Sequence, residues 1–159
     1  GQLRFGRGRG CQALLDFTVS PHGPERSIRM EKIWDTLYQA ARAILKPRKI
    51  SDMMDAGGVA AAIEATSVRI YTGICVDGAC TLGICAERNA IFSMLTNGED
   101  AMKRVVAVNW DGRVLPPCGA CRELMTQLMP EKYRKIEVMM DYEAPRIVML
   151  GDLTPEWWL

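Results

Sequence analysis

A chain of 159 residues with 48% hydrophobic content can build one ordinary folded core. Its formal net charge of +1 argues against a dedicated nucleic-acid binder, which needs a basic face for phosphate. No apolar run reaches the roughly 20 residues of a membrane span, and no secretory leader pattern is present. Six cysteines without such a leader fit a reducing compartment, where thiols bind metal or stay free, so a cytoplasmic protein is expected.

Residues 1–29 read as an atypical extension. Arg4, Arg7 and Arg9 alternate with Gly6, Gly8 and Gly10, and Pro21, Gly23 and Pro24 interrupt regular structure. Cys11 and His22, the one histidine, read as bystanders to any metal site. The folded domain is expected over residues 30–159. Ile33, Trp34, Leu37, Ala40, Ala41, Ile44 and Leu45 recur at helical spacing, and Pro47 ends that helix. Lys49 to Gly57 reads as a polar loop. Strands are expected over Val59 to Thr66 and Val68 to Val76, joined by a tight turn, with Asp77-Gly78 turning the chain. A helix from Cys85 to about Thr96 stops at Asn97-Gly98. Val105 to Asn109 is a short apolar run typical of a buried strand. After Asp111-Gly112 and an extended Leu115-Pro116-Pro117 segment, Gly119 to Met129 returns to helical spacing. Two strands, Ile136 to Met140 and Arg146 to Leu150, precede a short helix at Thr154 to Trp158. Helices interleaved with strands predict a layered α/β domain.

The chemistry concentrates in two stretches, Cys85-Ala86-Glu87-Arg88 and Pro117-Cys118-Gly119-Ala120-Cys121. A lone Cys-x-x-Cys is ambiguous between zinc and redox use, but joined to a Cys-x-Glu it is far more specific. Both stretches open helices, where backbone N–H groups and the dipole favour thiolates. Cys85, Cys118 and Cys121 are therefore the candidate Zn2+ ligands. Three ligands leave a tetrahedral ion one open position, the pattern of a catalytic site. Glu87 can reach over that position as the proton carrier. Zinc with three thiolates has net charge −1, so a cation should offset it. Arg88, one turn from Cys85, is expected to donate hydrogen bonds to the ligand sulfurs. Arg122 reads as a surface ion-pair residue. Cys75 and Cys80 read as free thiols, because five-residue steps do not converge on a second metal.

On these residues the chain resembles the cytidine deaminase family, including the blasticidin-S-type deaminases; the pattern is a zinc deaminase signature with an all-cysteine ligand variant and a non-ligand glutamate. The resemblance covers about Met30 to Leu159 in element order. It implies a three-layer α/β/α sandwich around a five-stranded mixed sheet. It further implies one zinc per subunit, hydrolytic deamination at C4 of a cytosine-like ring, and a homotetramer or homodimer. Ala86 and Pro117 correspond to the backbone positions that hold the pyrimidine.

Two departures bear on the substrate. Gly57-Gly58-Val59-Ala60-Ala61-Ala62 has glycine where the family often has a ligand-flanking phenylalanine. Cys75-Val76-Asp77 is the nearest match to the family's ribose-gripping Asn-x-Glu, leaving Asp77 to accept a sugar hydroxyl without the asparagine. The expected activity is hydrolytic deamination of a cytosine nucleoside or analogue. Its alternatives are an antibiotic nucleoside of the blasticidin S type, and a non-catalytic zinc-stabilised module in which a fourth ligand closes the site. A polynucleotide editor would need a basic channel of which the chain gives no sign.

Overall fold

In a computed structural model, the structure describes residues 31–158. The Gly/Arg-rich stretch, Cys11 and His22 lie outside the described residues. The elements run α1 (Lys32–Ile44), β1 (Arg48–Ser51), β2 (Met54–Ala65), β3 (Ile70–Gly78), α2 (Ala86–Thr96), β4 (Met102–Asn109), α3 (Gly119–Leu128), β5 (Glu137–Asp141), β6 (Arg146–Met149) and α4 (Leu150–Leu153). A single 3₁₀ turn, Tyr133–Lys135, precedes β5.

The sheet has six strands rather than five. The extra one is β1, which falls in the segment expected to be a polar loop. Its four residues are all exposed, so no buried face marks it in the sequence. It pairs with the first residues of β2, Ala56 opposite Arg48, whereas β4 pairs with β2 from Val59 onward. β3 pairs with β2 at both ends of its length, with a break between Ala56 and Ala60 where Gly57 takes φ +79°. The sheet is mixed: β4 and β5 are parallel, joined through α3, while the other neighbours are antiparallel.

Side-chain alternation along the strands builds the three layers. Ala60 and Ala62 of β2, Val106 and Val108 of β4 and Met139 of β5 pack under α1 with Trp34, Leu37, Tyr38 and Ala41. The other parity, including Ile63, Tyr71, Val105 and Val138, packs against Ile91 and Met94 of α2 and Cys121 and Met125 of α3. The small residues of β2 let helices approach both faces. α2 approaches β3 so closely that a Cβ on Gly73 would lie 2.3 Å from Ala90 N and 2.6 Å from Ala86 O.

The C-terminal end departs from expectation. Its short helix is α4, Leu150–Leu153, and Thr154 to Trp158 is not helical. Leu150 is fully buried and leads the chain out of β6 directly into the turn. Trp157 packs edge-on against Tyr133 and donates Nε1–H to Glu123 Oε2, 3.1 Å. Trp158 donates to the same carboxylate at 3.0 Å.

Candidate metal centre and active site

The first elements of the site are two helix starts. β3 and β4 run in the same direction on either side of β2, and α2 and α3 begin beyond their C-terminal ends. Cys85 is the N-cap of α2, with extended angles φ −70° and ψ 151°. Cys118 is the N-cap of α3, with φ −67° and ψ 169°. Both cysteines thus stand at the positive ends of their helices. Cys85 is fixed from behind by a narrow hairpin: Val76 and Ile84 exchange N–H···O bonds of 3.0 and 2.8 Å. The turn closing it places Cys80 at φ 55° and Thr81 at φ 61°.

The three sulfurs converge. Cys85 Sγ lies 3.5 Å from Cys118 Sγ, and Cys118 Sγ lies 3.4 Å from Cys121 Sγ. These gaps are far beyond a disulfide bond, and all three cysteines are free. They are close to the roughly 3.8 Å that separates sulfurs around a tetrahedral ion with bonds of about 2.3 Å. Among the described residues, these three cysteines form the one group of metal-ligating side chains within 4.8 Å of one another. Cys75 and Cys80 do not join it. Cys75 Sγ instead accepts Val59 N–H at 3.1 Å and lies 3.7 Å from Asp77 Oδ2, while Cys80 is exposed.

The electrostatics fit a bound cation. Burial pushes the Cys121 thiol far above its ordinary range, and the nearby Glu87 carboxylate pushes the same way. Burial, then contact with Cys118, also raises Cys85, against an opposing pull from Arg88. Burial acts upward on Cys118 too, but there the Cys121 backbone N–H and contacts with both other sulfurs outweigh it, and its pKa is lowered. The thiols thus shift in opposite directions without an ion, whereas a divalent ion would stabilise all three as thiolates. Arg88 supplies positive charge beside the sulfurs, and its Nε is buried with no hydrogen-bond partner among the described residues. That orphaned donor suits a charged sulfur acceptor.

A cavity of about 430 Å³ opens over the cluster. Cys85, Cys118, Glu87, Ala86, Arg88 and Asp77 all line it. Glu87 is 5% exposed, and burial raises its pKa, opposed by its own backbone N–H, by Cys121 and by Arg88. Pro117 does not line the cavity: it is buried behind the wall, and its neighbours Pro116 and Cys118 take that place. Its carbonyl accepts Nε–H of Arg122 at 3.0 Å. Arg122 is accordingly no surface ion-pair residue. It also donates to Leu153 O at 3.0 Å, tying the start of α3 to the C-terminal segment.

Sequence reasoning left several wall residues without a role. Gly58, Val59 and Cys75 come from β2 and β3, and Asn109, Trp110 and Leu115 from β4 and its return. A Cβ on Gly58 would meet Cys75 Sγ at 3.9 Å, an ordinary contact, so this glycine leaves space in the wall rather than relieving strain. The glycine at this position was visible in the sequence. The Trp110 position depends on how β4 turns back, which no local pattern announces.

An α/β/α sandwich with three convergent cysteines and a buried glutamate at paired helix starts defines a zinc-site domain of the deaminase type. Residues 35–136 match the family described as the cytidine and deoxycytidylate deaminase zinc-binding region, and the chain belongs to that family. It is 41% identical over 46 residues to a cytidine deaminase of Halalkalibacterium halodurans, covering 29% of this chain and 35% of the relative. It is 32% identical over 84 residues to a blasticidin-S deaminase of Bacillus cereus, covering 48% and 55%. The chain thus spans about half or less of the length of these curated relatives. Among solved structures it resembles a mutant cytidine deaminase of Mycobacterium tuberculosis, with TM-score 0.66, 25% identity, and 81% and 97% of the two chains covered. It also resembles a cytidine deaminase of Burkholderia pseudomallei, with TM-score 0.62, 28% identity, and 78% and 98% covered.

Proposed function

We propose that the protein is a zinc-dependent hydrolase that replaces the C4 amine of a cytosine nucleoside with oxygen and releases ammonia. The observation that carries this reading is that the buried Glu87 lines the same cavity as Cys85 and Cys118. Cys85, Cys118 and Cys121 would hold the ion. When bound, zinc supplies Lewis-acid activation of water, bringing its pKa from about 15.7 towards 7. Glu87 takes the water's proton and delivers it to N3 of the ring as oxygen adds at C4. It then takes the proton of the new C4 hydroxyl and carries it to the departing amine as the C4–N bond breaks and the C4 carbonyl forms. Arg88 offsets the negative charge of the thiolates. Ala86 holds the pyrimidine from the start of α2, and Asp77 accepts a sugar hydroxyl at the cavity mouth. The Pro117 carbonyl is already engaged by Arg122, so its part is to set the backbone of the Cys118 turn.

The non-catalytic alternative needs a fourth protein ligand, and none joins the three cysteines among the described residues. The likeness to a blasticidin-S deaminase favours an antibiotic nucleoside as the second substrate reading. No helix among the described residues is long and apolar enough to cross a membrane. A three-thiol zinc site suits a reducing compartment, so we place the protein in the cytoplasm as a homo-oligomer, with a tetramer expected from sedimentation velocity. The decisive variant is Glu87→Gln, which should keep one zinc per chain and lose deamination of cytidine, deoxycytidine and blasticidin S, followed by ultraviolet absorbance. A variant as active as the parent would remove Glu87 from the reaction.

A further inference from the structure

The chain enters Cys118 with little backbone bonding of its own. Leu115 N–H donates to Ala107 O at 2.9 Å. Pro116 and Pro117 follow, and neither has an N–H to donate. The segment is held through an acceptor instead. Pro117 is buried, and its carbonyl takes Arg122 Nε–H at 3.0 Å. That oxygen lies in the same rigid peptide plane as Cys118 N and Cα. Fixing the oxygen therefore fixes where the Cys118 side chain starts. Arg122 also closes the first turn of α3, its own N–H donating to Cys118 O at 3.0 Å.

The other arm of Arg122 reaches away from the sulfurs. Its Nη1–H donates to Leu153 O at 3.0 Å, at the end of α4. The next residue, Glu123, holds the far end of the same segment. Oε2 accepts Trp157 Nε1–H at 3.1 Å, and Oε1 accepts Trp158 Nε1–H at 3.0 Å. Between these ends, Tyr133 Oη–H donates to Thr154 O at 3.3 Å and Arg134 Nη2–H to Pro155 O at 3.0 Å. Residues 153–158 thus form a strap across the helix turn that begins at Cys118 and carries Cys121. A planar guanidinium presents donors in two fixed directions and serves both carbonyls at once, which a lysine ammonium on a flexible stem does not.

We propose that Arg122 is a positioning residue of the metal centre, and that the strap it grips sets how tightly the cysteine cluster holds its ion. With Cys85, Cys118 and Cys121 as the zinc ligands, on which this rests, Arg122 acts through the Pro117–Cys118 peptide and stands itself outside the cavity lining. The metal centre then has a third support besides the starts of α2 and α3: a C-terminal segment with no ligand in it.

The test is zinc release from the full chain to a chelating dye, read beside the sulfur-to-cobalt charge-transfer band of the cobalt(II)-substituted protein. Arg122→Lys keeps the charge and loses the two-carbonyl grip. It should release zinc about tenfold faster, the low end of the loss when a metal ligand's support is removed, and weaken the cobalt band. Trp157→Phe keeps an aromatic ring and removes one strap bond. It should speed release about threefold, the size of one ordinary hydrogen bond. Because the strap acts through Arg122, adding Trp157→Phe to Arg122→Lys should speed release no further. The metal-free proteins are melted in parallel. A strap that only stabilises the fold would lower their melting temperatures and leave zinc release and the cobalt band at parent values. That pattern, or fully additive effects of the two substitutions, overturns the proposal. A parent protein that binds no zinc, or a Cys118→Ser protein that holds it as tightly, overturns the ligand assignment and this inference together; a zinc-loaded parent with both variants unmoved overturns this inference alone.

Discussion

Gly73 lies in the middle of β3, outside both cysteine stretches, yet its contact with α2 makes it a determinant of the metal centre. A Cβ there would sit 2.3 Å from Ala90 N, 2.6 Å from Ala86 O and 2.8 Å from Asn89 C, all backbone atoms of one helix. No side chain can turn aside to relieve this. An ordinary contact begins at 3.4 Å, so Gly73→Ala drives α2 outward by about 1 Å, an overpacking change that costs about 2 kcal/mol. Asn89 resists the shift, because its Nδ2–H donates to Ile74 O at 3.0 Å from the same helix turn. The start of α2 carries Cys85, Glu87 and Arg88. Metal sites tolerate displacements of about 0.2 Å, and a misplacement of about 1 Å can cost on the order of a hundredfold in rate. Gly73→Ala should therefore lower the melting temperature, weaken zinc retention against a chelating dye, and reduce deamination about a hundredfold. Gly119→Ala is the matched control inside the motif. Nothing lies within 4 Å of its Cβ position and its φ is not positive, so zinc binding should be unchanged. A Gly73→Ala protein that melts like the parent and holds zinc as tightly would refute the packing argument.

Two further predictions concern stability. Arg104 bonds Glu64 Oε2 at 2.7 Å and Glu137 Oε2 at 2.6 Å, and stacks over Trp34 at 5.8 Å. Glu64 is buried. Arg104→Met leaves that carboxylate unpaired and should cost about 3 kcal/mol in urea unfolding, most of which Glu64→Gln restores in the double variant; a double variant no more stable than the single contradicts this. At the hairpin before Cys85, the left-handed residues Cys80 and Thr81 sit where asparagine and glycine fit best. Replacing Cys80 with Asn and Thr81 with Gly should raise stability by about 1 kcal/mol with zinc content unchanged, and a destabilised protein would show that the turn is not strained.

What was legible in the sequence followed from local chemistry. The helix starts at Cys85 and Cys118 were marked by the sequence around them, and Trp34, Leu37 and Ala41 repeat at the spacing that buries them under the sheet. The β1 strand was not legible, because exposed residues carry no periodic signal and its partner is chosen by the register of β2. The lost terminal helix has a similar cause. Thr154-Pro155 is a plausible helix start, but the two tryptophans are bound to Glu123 of α3 instead, a contact between residues more than 30 apart. Arg122 was misread for the same reason, since its acceptor at Leu153 is distant in sequence. Within the site, the sulfurs and Glu87 were legible from spacing, whereas the Trp110 wall required the fold.

X-ray absorption at the zinc edge of the metal-loaded protein tests the centre most directly. The expected result is one zinc per chain with three sulfur neighbours at about 2.3 Å and one oxygen neighbour at about 2.0 Å. A shell of four protein ligands, or a Cys118→Ser variant that keeps the three-sulfur shell intact, would contradict it.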